Sequence, residues 1–63
     1  MKVEVMYWYA DFSEETGLKN HKEYDITLNT IQEITEKGLY VMFNKYNGST
    51  YMWIDNKRFS KRL

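Results

Sequence analysis

Two runs of alternating side chains, LYVMFNKY and STYMWID, stand between Leu39 and Asp55 on either side of Asn47-Gly48. Asn and Gly both accept the positive φ of a two-residue type I′ turn, so the segment predicts a β-hairpin. The turn sets the register. Tyr46 falls opposite Ser49, Lys45 opposite Thr50, Asn44 opposite Tyr51, Phe43 opposite Met52, Met42 opposite Trp53, and Val41 opposite Ile54. Opposite residues share a face. Leu39, Val41, Phe43, Met52 and Ile54 therefore lie on one side, and Tyr40, Met42, Tyr46, Tyr51 and Trp53 on the other. Both sides are apolar.

Lys2 to Phe12 predicts another strand, with Val3, Val5, Tyr7 and Tyr9 on one face and Met6, Trp8 and Ala10 on the other. Its uncharged middle, VMYWYA, suits a strand inside a sheet or at a paired edge, covered on both sides. Ser13 to Lys22 is polar and reads as a loop, with one helical turn capped by Ser13 and ended by Gly17. Tyr24, Ile26 and Leu28 then alternate with polar residues as a short second strand, paired with the first.

Asn29 to Lys37 predicts a two-turn helix, capped by Thr30 with Glu33 or by Asn29 with Gln32. Leu28, Ile31 and Ile34 would form its apolar face, Lys37 would suit its C-terminal dipole, and Gly38 would take the C′ position. Asn56 to Leu63 is a basic tail. The implied fold class is α+β: a small, mostly antiparallel sheet of about four strands in the order β-β-α-β-β, with one short helix packed on one face. Ile31 and Ile34 would cover Val41, Phe43, Met52 and Ile54, leaving Tyr40, Met42, Tyr51 and Trp53 bare. A one-residue slip in register would exchange the two sides.

Length and composition add bounds. With 63 residues, the chain is expected to form a single domain over residues 1–63. Cores of this size rarely supply more than roughly 3–5 kcal/mol without a disulfide, a metal or self-association. There is no cysteine, so disulfides and thiolate metal sites are out. Net charge is zero, but residues 1–36 hold three Lys and eight carboxylates while residues 37–63 hold six Lys or Arg and one Asp. Such unlike ends can steer partners or favour self-association. Neither a secretory leader nor a membrane-length apolar run stands out, so a cytoplasmic protein with no membrane role is expected. Plentiful Asn, Lys, Tyr and Ile, one Ala and no Pro lean towards A/T-rich codons, as in a low-GC bacterium or its phages.

Candidate chemistry is sparse. The acidic residues Asp11, Glu14, Glu15, Glu23 and Asp25 suggest calcium, but a loop begun at Asp11 has Thr16 where the motif needs Gly and Lys22 where it needs Glu. His21 is the only histidine and reads as a solvated loop residue. No phosphate-binding loop, zinc motif or nucleophile elbow is present. An enzyme is therefore not expected, nor a cofactor or a metal. In the tail, Lys57, Arg58, Lys61 and Arg62 could neutralise phosphates while Phe59 and sheet aromatics stack on unpaired bases. That makes a small nucleic-acid-binding regulator the alternative reading.

The aromatic side of the hairpin carries the leading one. Aromatics are 17% of the chain, and Trp, Tyr and Met are enriched in interface cores. Tyr40, Met42, Tyr51 and Trp53, extended by Trp8, would form a contact surface. A homodimer could bury it face to face, or join two first-strand edges. A foreign protein could cover it, or the first strand could fold over the hairpin within the monomer. With its short length, its codon lean, its lack of catalytic motifs and the hairpin YVMFNKYNGSTYMWI, the chain resembles the short phage proteins that inhibit bacterial defence systems. That resemblance implies stoichiometric binding of a bacterial host protein, often by a compact homodimer. The expected function is non-enzymatic protein binding that acts by occlusion.

Overall fold

The computed structural model describes residues 1–57. Along the chain come strand β1 (Lys2–Tyr7), helix α1 (Ser13–Thr16), strand β2 (Glu23–Asp25), helix α2 (Leu28–Glu36), strand β3 (Tyr40–Tyr46) and strand β4 (Ser49–Asp55). The strands form one sheet in the spatial order β2-β1-β4-β3. The α+β class and the β-β-α-β-β order are as expected, with α1 as a further small helix. β1–β2 and β3–β4 are antiparallel, whereas β1 and β4 run parallel, with Val5 beside Met52 and Met6 beside Trp53.

The hairpin has the register its turn dictates, from Tyr46 opposite Ser49 to Tyr40 opposite Asp55. Asn47 (φ 54°) and Gly48 (φ 78°) both sit in the left-handed region, as a type I′ turn demands. β1 is shorter than expected and ends at Tyr7, so Trp8, Tyr9 and Ala10 lie beyond the ladder. It is an interior strand between β2 and β4. Two expectations fall with that: β1 neither offers a free edge to a second copy nor folds over the hairpin.

One apolar cluster joins Val3, Val5, Leu18, Ile26, Ile34, Leu39, Met52 and Ile54 on the α2 side of the sheet, with Ile31, Val41, Tyr7, Phe12 and Tyr24 packed against it. The helix starts one residue early because Thr27, not Asn29 or Thr30, is its N-cap; its hydroxyl accepts the Thr30 N–H at 3.3 Å. Leu28 is consequently the first helical residue and is 80% exposed. At 100° per residue it lies about 120° round the helix from Ile34, off the buried stripe. Helix α2 ends as expected before Gly38 (φ 88°). Nine residues of helix span only about 14 Å, so the turn end of β3 is left uncovered and Phe43 is 38% exposed, not buried as expected.

The long connection between β1 and β2 is pinned by two tyrosines. The Tyr7 hydroxyl donates to the Leu18 carbonyl at 2.6 Å and pairs with the Thr16 hydroxyl at 2.7 Å. Lys19 N–H donates to the Tyr24 hydroxyl at 2.8 Å. Burial foremost pushes the Tyr7 hydroxyl above its usual value near 10, against a smaller lowering by Thr16. Phe12, not Ser13, occupies the N-cap of α1; the Ser13 N–H donates to the Asp11 carboxylate at 2.8 Å. These bonds from Ser13 hold Asp11 below the usual carboxylate range. No helix among the described residues is long and apolar enough to cross a membrane.

Candidate protein-docking face

Alternation along the strands and the observed registers place Glu4 and Met6 of β1, Tyr51 and Trp53 of β4, and Tyr40, Met42, Asn44 and Tyr46 of β3 on the side of the sheet away from α2. No helix among the described residues covers this side. Its centre is Trp53, half-buried between Met6 and Met42. The Trp53 indole N–H donates to the Asn44 side-chain oxygen at 2.8 Å, which fixes the ring over the hairpin. Trp8 leans back from beyond the end of β1 and meets the Trp53 ring at 5.0 Å between centroids, tilted by 59°. Such tilted pairs contribute about 0.5–1.5 kcal/mol beyond area burial.

Met6, Asn44, Tyr46, Tyr51 and Trp53 line a depression of about 300 Å³. A cavity of that size admits one or two side chains of a partner, at the lower end of small-ligand sites. Of the residues expected from the sequence, Tyr51 and Trp53 line it, Met42 flanks Trp53 and Trp8 stacks on it. Tyr40 lies at the other end of β3, opposite Asp55. Met6, Asn44 and Tyr46 were missed as site residues, although Tyr46 was placed on this side of the hairpin. Asn44 was legible from the hairpin register, since it faces Tyr51. Met6 was not, because only the parallel β1–β4 pairing brings it beside Trp53.

Asp55 was missed as well. It is fully buried at the end of β4; one carboxylate oxygen accepts the Asn56 N–H at 2.8 Å, and the other has no hydrogen-bond partner among the described residues. His21 is exposed, with Nδ1 3.8 Å from the Glu4 carboxylate. Among the described residues, no group of three or more His, Cys, Asp or Glu is placed to hold a metal ion. Of the basic residues singled out for nucleic acid, Lys57 sets its ammonium 5.6 Å from the Tyr9 ring centroid. Arg58, Phe59, Lys61 and Arg62 lie outside the described residues.

No protein-family model matches the chain. Searches of curated proteins and of solved structures find no match either.

Proposed function

We propose that this chain is a non-enzymatic protein-binding module that acts by occlusion, seating a partner's side chains against the aromatic side of its sheet. The observation that carries this reading is the uncovered depression around Trp53, walled by Tyr46, Tyr51 and Met6. Aromatic and Met side chains in a hollow that a partner can desolvate are the usual composition of binding hot spots. The narrower proposal is a phage inhibitor that blocks a bacterial defence protein in the host cytoplasm. It is supported by the small size, the sparse catalytic chemistry and the aromatic hairpin.

The test is a phage plating assay in bacteria that each carry one cloned defence system and express this chain. Wild type should restore plating on at least one such host, while a folded Tyr46→Ser/Trp53→Ser variant should not. Equal rescue by the variant would reject the face as the docking surface. No rescue on any host would reject the inhibitor. A pull-down of the sensitised defence protein at about 50 and about 200 mM salt separates the alternative mode. Aromatic docking should hold across that range, whereas phosphate contacts weaken steeply with salt.

A further inference from the structure

The two edges of the sheet are unlike. One is β2, three residues long, which places Glu23 and Asp25 at its ends and follows Lys22. Short length and charge are the ordinary defences of an edge strand. The other edge is β3, seven residues long, YVMFNKY, with Lys45 as its only charge and no proline or bulge in its register with β4. No strand among the described residues pairs with its outer side.

The hairpin fixes which backbone groups that edge presents. In a two-residue hairpin the pair flanking the turn exchanges both its bonds, and bonded pairs then alternate along the ladder. Tyr46, Asn44, Met42 and Tyr40 therefore aim their N–H and C=O groups at β4, and Val41, Phe43 and Lys45 aim theirs outward. Leu39, next in the outward series, fits this parity: its N–H donates to the Ile34 carbonyl and not to β4.

The side chains on the strand are close to palindromic. Aromatics stand at Tyr40, Phe43 and Tyr46, symmetric about Phe43, and all three are exposed. We propose that the outer edge of β3 is a homodimerisation strand that pairs antiparallel with β3 of a second copy, about a two-fold axis at Phe43. In that register Phe43 meets Phe43 and Val41 meets Lys45 as hydrogen-bonded pairs, so every outward backbone group of the strand is satisfied. Tyr40 meets Tyr46 of the second copy at non-hydrogen-bonded sites, where side chains approach most closely. Moving the axis to Met42 sets Tyr46 against Gly38, and moving it to Asn44 sets Tyr40 against Gly48; each loses the aromatic match. Lys45 also comes to the Val41 end of the second copy's strand, beside the C-terminus of α2 with Glu33 and Glu36. A cation suits that end of a helix. The product is one continuous sheet that doubles the aromatic face. It stands independently of what docks there.

Two measurements on the full chain test this: light scattering after gel filtration at about 100 µM, and amide hydrogen exchange by NMR. The expected result is a dimer in which the Val41, Phe43 and Lys45 amides exchange on the order of tenfold more slowly than in a dilute sample, while Met42 and Asn44 stay protected at both concentrations. A monomer at that concentration would overturn the proposal. So would a dimer whose Val41, Phe43 and Lys45 amides exchange freely, which would indicate face-to-face packing. Phe43→Pro removes an outward N–H without touching the β4 ladder, and Phe43→Lys sets two ammonium groups at the axis. Both should be monomeric with the circular dichroism of the wild type; a folded, dimeric Phe43→Lys would also overturn it.

Discussion

At the residue scale, Tyr7 shows how a single polar group ties a long connection to the sheet. Its ring packs on the core and its hydroxyl serves both Thr16 and Leu18. Tyr7→Phe should lower stability by about 1–2 kcal/mol in a denaturant titration, because the Leu18 carbonyl loses its donor. The pH dependence has a definite sign. With its folded pKa raised above 10, Tyr7 contributes stability that is complete below pH 10 and is lost as pH rises through the folded value. Thermal melts from about pH 9 to about pH 11 should fall more gently for Tyr7→Phe than for the wild type. The identity of Tyr7 as an inward-facing strand residue was legible from alternation. Its partners were not, since nothing local brings a loop hydroxyl and a carbonyl to one point.

At the element scale, local chemistry decided most of the boundaries. Asn47-Gly48 set the hairpin register residue by residue. Gly48→Ala should cost about 1 kcal/mol, measured by chemical denaturation, for conformational reasons alone: nothing lies within 4 Å of an added Cβ, but φ is +78°. Helix α2 teaches the converse. The sequence pointed to Asn29 or Thr30 as the cap, yet Thr27 takes that place because β2 delivers the chain there in extended geometry (φ −106°, ψ 166°). Ile34, 1% exposed, is the fully buried anchor of the helix, with Ile31 packed beside it at the edge of the core. Ile34→Ala should cost roughly 2–5 kcal/mol. That approaches the whole stability expected of so small a core, so the variant should be largely unfolded by circular dichroism at 37 °C.

At the scale of the whole molecule, the single helix divides the sheet into a packed side and an open one. Trp53 sits on the open side, half-buried by Met6, Met42 and Trp8 instead of enclosed in the core. Trp53→Ala should therefore cost about 1–2 kcal/mol, well below the roughly 3–5 kcal/mol of a fully enclosed Trp, while abolishing rescue in the plating assay. A loss of the larger size in a denaturant titration would mean that Trp53 serves the core. The candidate site was legible in part for the same reason. Hairpin parity put Tyr40, Met42, Tyr51 and Trp53 on one side, but the wall formed by Met6 belongs to a pairing between residues far apart in sequence.

By itself the sequence determined what short-range physics controls: the turn at Asn47-Gly48, the alternation that sorts each strand into two faces, the helix with its Gly38 stop, and the absence of any cysteine staple. Tertiary structure alone decided which strand lies beside which. The parallel pairing of β1 with β4 buries Val5 and Met52 together, makes β1 interior and leaves β3 as the long outer edge among the described residues. That choice rests on packing one small apolar cluster under a nine-residue helix. No local preference encodes such a balance, because the contacts that settle it exist only once the chain has closed on itself.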